Sequence, residues 1–152
     1  MNIEFRVIDR SNYNQCIELK ISEEQKRFVA SNIFSLVQSA YEPNLYPLGI
    51  YKNNEMVGFI LYDFDDEING WSMSRFMIDE KFQNQGIGKV ALQKFIEFFI
   101  EKYGHIKLYT SAEVDNTIAI DLYEKNGFKK IEVFEYEFGG ETYKEFRMVV
   151  QL

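Results

Sequence analysis

The chain has 152 residues, 46% of them hydrophobic and 16% aromatic, with a net charge of −7 at pH 7 and a pI of about 4.8. That is the size and composition of one domain with a substantial core, and no run is long and apolar enough to cross a membrane. The acidic balance argues against nucleic acid as a partner, and a single Cys and a single His argue against a disulfide, a His/Cys zinc site or a nucleophile–His pair. The N-terminus Met-Asn-Ile-Glu-Phe-Arg has no signal-peptide character, and the lone Cys16 fits a reducing cytoplasm. The charge suits a cationic substrate and equally a solvated acidic surface.

Ile3, Phe5 and Val7 alternate with polar residues, which predicts a half-buried strand. Asn12 to Leu19 reads as a short helix after the Ser11-Asn12 turn. Glu23 to Phe28 and Ile33 to Ala40 read as further helices, with Phe28/Val29 and Phe34/Val37 as apolar faces. Pro43 and Pro47 bracket a loop into the sheet. Leu48–Tyr51 and Met56–Tyr62 flank Asn53-Asn54 as a hairpin. Asp63, Asp65, Asp66 and Glu67 form an acidic tip, and Trp71–Ile78 is the next strand.

Asp79 to Gly86 then lead into a helix over Gly88–Tyr103. Its apolar stripe, Val90, Leu92, Phe95, Ile96, Phe99 and Ile100, is core packing, and Gly104 ends it. Lys107–Ser111 is a short strand. Asp115 or Asn116 caps a helix running to about Asn126, with Gly127 after it. Ile131–Tyr136 and Tyr143–Val150 close the chain around a Gly139-Gly140 turn. The order predicts a single α/β domain, residues 1–152, with a mixed central sheet of six to seven strands flanked by helices.

The segment Arg75 to Lys89 joins a strand to a helix N-terminus through Gly86 and Gly88. The first turn of a helix offers unpaired N–H groups and a favourable dipole, so the loop is a candidate cradle for a phosphorylated ligand. A Walker loop fails twice: Gln83 stands where its first Gly belongs and Val90 where its Ser/Thr belongs. Gly86-x-Gly88-x-x-Ala91 fits a dinucleotide fingerprint in form. However, Asp79 to Gln85 separate it from the strand, and the next strand ends in Tyr109-Thr110-Ser111 with no acid. Gln83-x-x-Gly86-x-Gly88 remains. It resembles the Gln/Arg-x-x-Gly-x-Gly/Ala loop of the GNAT superfamily of N-acetyltransferases, although a glycine-containing turn before an ordinary helix accounts for it equally well.

A second segment is more specific. Asn116-Thr-Ile-Ala-Ile-Asp-Leu-Tyr-Glu-Lys-Asn-Gly-Phe128 resembles the Asn-x-x-Ala-x-x-Leu-Tyr-x-x-x-Gly-Phe segment of the same superfamily, at the expected distance after the loop. Ala119, Leu122, Tyr123 and Asn126 share one helix face. The two motifs, with an element order that matches from end to end, imply the GNAT fold and acetyl-CoA as co-substrate, with no metal. The resemblance implies that Gln83, Gln85, Gly86, Ile87, Gly88 and Lys89 hold the pyrophosphate. It implies that Phe76, Met77 and Ile78 lie along the acyl arm, which passes Asn116, Ala119, Tyr123 and Asn126. It also implies that Tyr123 protonates the leaving thiolate; without the motif, Tyr123 would read as a core aromatic.

Direct attack of a primary amine on the thioester requires the amine, with a pKa of about 10.4, to lose a proton first. A strand N–H near Met77 would stabilise the oxyanion. Polyamine acetyltransferases of the superfamily often carry an acid just before the Arg75 position, and this chain has Ser74 there. The base is left open between Glu113 and the tip acids Asp63 to Glu67, each of which also reads as surface charge. Gln25 to Asn32, with Ser35-Leu36 and Ala40, resembles the helices of bacterial spermine/spermidine (diamine) N-acetyltransferases that cover the acceptor. The resemblance implies a small polycation, and the acidic charge makes Glu23, Glu24, Glu42, Asp65 and Asp66 its candidate carboxylates, with Tyr41 as a cation–π neighbour and Ser74 and Glu113 as further candidates on the substrate side. Acetylation of another amine (a peptide N-terminus, a protein lysine, an aminoglycoside) and a non-catalytic acetyl-CoA-binding sensor stay open. A homodimer is compatible with the sequence, which does not fix the oligomeric state.

Overall fold

The computed structural model describes residues 1–26 and 30–152. Seven strands form one sheet: β1 (Ile3–Val7), β2 (Leu45–Lys52), β3 (Glu55–Asp65), β4 (Gly70–Ile78), β5 (Lys107–Glu113), β6 (Lys129–Phe138) and β7 (Glu141–Gln151). Their spatial order is β1-β2-β3-β4-β5-β7-β6. All neighbours are antiparallel except β4 and β5. Among the described residues, four α-helices cover the sheet: α1 (Tyr13–Glu18), α2 (Asn32–Tyr41), α3 (Ile87–Tyr103) and α4 (Thr117–Lys125). This is the mixed sheet flanked by helices that the sequence predicts.

Period-two alternation gives the sheet two cores. Ile50, Ile60, Met73 and Ile78 point to one face, where they meet Leu92, Phe95 and Phe99 of α3 and Ile120 and Tyr123 of α4. Their sequence neighbours Tyr51, Phe59, Leu61 and Met77 point to the other face, against Cys16 of α1 and Leu36 of α2. Cys16 is fully buried, and burial pushes its thiol up to about 12, so it is an inert packing group.

Local chemistry sets the element ends. Asn53 and Asn54 both take positive φ, 50° and 66°, in the two-residue turn between β2 and β3. The Ser31 hydroxyl accepts from Phe34 N at 3.1 Å at the start of α2. Asn116 caps α4 by accepting from Ala119 N at 3.3 Å. At the other end of α4, Gly127 at φ 92° lets its own N–H reach Glu124 O and the Phe128 N–H reach Tyr123 O, each at 3.1 Å. That is a Schellman closure.

Three expectations are corrected. Pro47 lies inside β2, opposite Leu61, rather than in a loop. Its carbonyl accepts from Ile8 N at 3.1 Å, just past the end of β1, so the missing proline N–H faces a place where no ladder partner is needed. Asp63 and Asp65 belong to β3, and the acidic tip begins only after them. The helix expected over Glu23–Phe28 is, in its described part, a 3-10 turn at Glu23–Gln25 closed by Gln25 N–Ser22 O at 3.0 Å and Lys26 N–Glu23 O at 3.4 Å. The expected apolar pair Phe28/Val29 lies outside the described residues. No helix among those described is long and apolar enough to cross a membrane.

Candidate active site

The site forms where β4 and β5 part. They pair only from Trp71–Leu108 to Met73–Thr110. Beyond that point β4 runs on to Ile78 while β5 runs on to Glu113 paired only with β7. A bulge marks the same place: Tyr62 of β3 faces Met73 and Leu61 faces Arg75, so Ser74 is the extra residue. Bulges of this kind re-aim a side chain and end a ladder.

The parting exposes one edge of β4, and hydrogen-bond alternation says which groups line it. Asp79 N donates to Val57 O at 2.8 Å, which makes Asp79–Val57 a bonded pair. Antiparallel pairs alternate, so the N–H and C=O of Ile78 and Phe76 point away from β3, into the gap. One bond agrees directly: Gln83 Nε2 donates to Ile78 O at 2.9 Å; across the bulge, where the alternation shifts, the Thr110 hydroxyl donates to Met73 O at 2.8 Å. The backbone N–H expected near Met77 is therefore narrowed to its neighbours Phe76 and Ile78. Met77 itself faces β3, and its side chain is buried toward α1.

Below the gap, the loop meets α3. Gln83 is a brace here, since its amide also donates to Gln25 Oε1 at 2.9 Å and so ties the loop to the segment before α2. Gln85 donates to Lys81 O at 3.3 Å. Gly86 is the N-cap of α3, at φ 79°. Nothing lies within 4 Å of where a Cβ would stand. Its constraint is backbone conformation, and the empty space in front of the first turn is what a bound phosphate requires. A Cβ at Gly88 would lie 3.8 Å from Ile78 Cγ1, Ile87 is buried beneath the loop, and Lys89 is exposed to solvent. The loop, the open β4 edge and the gap together fit a ligand with a pyrophosphate and an extended arm.

On the α3–α4 face of the gap stands Tyr123, 5% exposed and packed on Phe128 at 5.7 Å between ring centroids. Burial pushes its hydroxyl up to about 12, with the neighbouring Thr110 hydroxyl opposing. Ala119 is part of the wall beside it. Asn116 and Asn126 serve the helix backbone, as the N-cap and through Asn126 Nδ2 to Leu122 O at 2.8 Å.

The α1–α2 face is charged. The Ser74 hydroxyl donates to Asp63 Oδ1. Arg75 donates to Ser74 O and to Gln38 Oε1 of α2, each at 3.1 Å, while its buried Nε has no partner among the described residues. Burial pushes the Asp63 carboxyl above the ordinary carboxylate range; the Ser74 hydrogen bond opposes this, Asp65 and Glu42 add to it, and Arg75 works against it. Burial likewise lowers Arg75, against the pull of Asp63, Tyr136, Glu145 and Glu42. Tyr136 of β6 donates to Glu145 of β7, which lies directly opposite Glu113 of β5. Glu113 accepts from Asp115 N at 3.1 Å.

The structure thus brings Glu42, Ser74 and Glu113 to one side of the gap and adds Asp63, Arg75, Tyr136 and Glu145, which the sequence did not single out for this role beyond the general mention of the tip acids. Period-two counting would place Ser74 on the face of Phe76 and Ile78; the bulge turns it toward Asp63 instead, so alternation alone could not have found that contact. Glu23 lines a cavity of about 720 Å³ bounded also by Leu19, Lys20, Asn32, Met77 and Glu80, and it pairs with Lys26 at 2.7 Å. Glu24 is exposed, Tyr41 is 85% exposed at the end of α2, and Asp65 accepts from Glu67 N at 2.9 Å. Among the described residues, no group of three or more His, Cys, Asp or Glu side chains is placed to hold a metal ion.

Comparison with known proteins agrees with this geometry. Residues 13–128 match the model of the acetyltransferase (GNAT) family. The chain is 32% identical over 137 residues to the spermine/spermidine N(1)-acetyltransferase of Bacillus subtilis (strain 168), covering 85% of this chain and 89% of that protein. Two solved structures share the fold. A GNAT family acetyltransferase from Elizabethkingia anophelis with acetyl-CoA bound superposes with a TM-score of 0.66 at 21% identity over 99% of each chain. A chimera of the spermidine N-acetyltransferase SpeG from Vibrio cholerae and hSSAT superposes with a TM-score of 0.74 at 15% identity, over 98% of this chain and 94% of that one. With most of its length inside the family model and its strands parted at the family's loop, this chain belongs to the GNAT family of acetyltransferases.

Proposed function

We propose that the protein transfers the acetyl group of acetyl-CoA directly to a primary amine of a polyamine, spermine or spermidine ahead of shorter diamines. The observation that carries this reading is the 32% identity, over most of both chains, to a spermine/spermidine N(1)-acetyltransferase. The carboxylates Glu42, Asp63, Glu113 and Glu145 around the acceptor side of the gap agree with it, because an acidic mouth draws in a multiply charged cation.

Acetyl-CoA supplies the activated acyl group. The α3 N-terminus from Gly86 to Lys89 holds its pyrophosphate, and Phe76 to Ile78 run alongside its arm. The N–H of Phe76 or Ile78 is aimed at the gap and donates to the thioester oxygen as that oxygen gains charge. Tyr123 stands on the α4 face and gives its proton to the departing sulfur. With its hydroxyl raised to about 12, it is a weaker acid than a thiol of about 8.5, so it yields the proton only as the sulfur becomes anionic. The acceptor enters from the opposite, α2 face, so amine and thiolate are handled on two sides of one sheet.

The test is an amine panel assayed with acetyl-CoA by release of free thiol. Spermine and spermidine should have the highest kcat/KM, diamines less and monoamines least. Equal kcat/KM for monoamines and spermine would move the substrate to amines in general, and thiol release with no amine acetylated would remove the transferase reading.

A further inference from the structure

The amine must lose a proton before it attacks, and β4 from Trp71 to Ile78 carries no carboxylate or imidazole to keep it. The structure supplies one from the adjacent strand. Asp63 of β3 accepts the hydroxyl hydrogen of Ser74, the bulged residue at the point where β4 and β5 part. Ser74 lies two residues before Phe76, so its hydroxyl is within about 7 Å along the strand of the N–H that faces the thioester. Asp63, Ser74 and Arg75 share the α2 face, where Gln38 fixes the Arg75 guanidinium at 3.1 Å. Tyr123 is on the other face.

We propose that Asp63, reaching the gap through the Ser74 hydroxyl, takes up the proton that the acceptor ammonium must lose before it attacks. This rests on the amine-acetyltransferase reading above and deepens it. The ammonium gives a proton to Ser74 Oγ as Ser74 gives its own to Asp63, so one proton moves to the carboxylate and the nitrogen lone pair is freed. The C–N bond forms and the C–S bond breaks. The second nitrogen proton replaces the one that Tyr123 gives to sulfur, and Asp63 returns its proton to water. The charged groups around Asp63 are Asp65 on β3, Arg75 on β4 and Glu42 after α2, with Glu145 of β7 and Tyr136 of β6 acting on the same Arg75. Burial and the two acids make Asp63 a better proton acceptor than a solvated carboxylate, and Arg75 limits the gain. Asp63 acts through Ser74, so it is a positioning and relay group rather than one that touches the substrate. Glu113 and Glu145 are poorer candidates for the relay, since they are engaged by Asp115 N and by the Tyr136 hydroxyl.

The test compares Asp63→Asn, Ser74→Ala and the double variant Asp63→Asn/Ser74→Asp with wild type, using the best amine of the panel. Asp63→Asn keeps an acceptor for Ser74 and should bind acetyl-CoA with unchanged affinity by calorimetry. At pH 7 its kcat should fall by about a hundredfold or more. The deficit should close as pH is raised toward about 10.4, where the amine is neutral without help. Ser74→Ala should lose less, because water can bridge, and the double variant should regain activity. An unchanged kcat in Asp63→Asn, a loss confined to KM, or a deficit constant with pH would overturn the relay. If the best amine is not a polyamine, the substrate reading falls and the relay is still judged on kcat. If wild type acetylates no primary amine, both fall.

Discussion

The two faces of the sheet beside the β4–β5 gap are made of different material. On the α3–α4 face the sheet is covered by hydrocarbon: Leu92, Phe95 and Phe99 are fully buried, and Trp71 lies on Tyr103 with 4.2 Å between ring centroids. The hydroxyl proposed as the acid, that of Tyr123, is held there by packing on Phe128 and by the Schellman closure of α4. On the α1–α2 face, Asp63, Ser74 and Arg75 are tied by hydrogen bonds to one another and to Gln38 of α2, while Glu145, held by the Tyr136 hydroxyl, acts on the same Arg75 through its charge. A dry wall suits a proton held back until a thiolate forms, and a charged wall suits recognition and deprotonation of a cation. The division predicts that variants of one face change the handling of the acyl donor and variants of the other change the handling of the amine.

The largest effect should come from Tyr123→Phe, which keeps the ring and removes only the proton. Its kcat should fall by about a hundredfold or more while acetyl-CoA affinity stays at the wild-type value. The pH profile sharpens the point. Burial raises the Tyr123 hydroxyl to about 12, so the wild-type rate should show no alkaline loss from this group until the pH nears that value. An unaffected kcat in Tyr123→Phe would leave Tyr123 as packing and break the division of roles.

Gly86→Val is next. A β-branched residue is strained at φ 79°, and the loop loses the shape of its first turn. The acetyl-CoA dissociation constant should rise tenfold or more, about 1.4 kcal/mol, with no change in amine preference at saturating acetyl-CoA. Unchanged affinity by calorimetry in a folded variant would remove the pyrophosphate from this loop.

The smallest effect concerns stability. Asp63 has a folded-state pKa above the ordinary value of 3.8. Such a group favours the folded state fully below the ordinary value, and that contribution is lost as pH rises through the raised one. Asp63→Asn never ionises and so keeps it. The difference in unfolding midpoint, variant minus wild type, should therefore grow from pH 4 to pH 7 in favour of the variant. A difference that is flat with pH, or that moves the other way, would show that ionised Asp63 is not penalised in the fold.

How far the sequence could be read follows the same division. The cofactor loop and α4 are contiguous. Gln83-x-x-Gly86-x-Gly88 and Asn116 to Phe128 each carry their caps, turns and faces within a dozen residues, so periodicity and capping rules apply directly. The element order was legible for the same reason. The acceptor side was not, because Asp63, Arg75, Gln38 and Glu145 are brought together only by register and by the bulge at Ser74. Asp63 reads as hairpin-tip charge until β3 is seen to extend to Asp65. Pro47 misled because a proline is compatible with a strand once its N–H side lies beyond the neighbour's end. The place of Glu23, paired with Lys26 on a cavity beside Met77, likewise cannot be inferred from charge alone.

The most direct test of the whole account is a competition. Equimolar spermidine and a monoamine of similar length are offered with limiting acetyl-CoA, and the acetylated products are counted by mass spectrometry at low and at 0.15 M salt. The product ratio is the ratio of kcat/KM values. The account predicts acetylspermidine in excess by tenfold or more at low salt, with the excess shrinking as the screening length falls to about 8 Å. Equal products at both salt concentrations would contradict it.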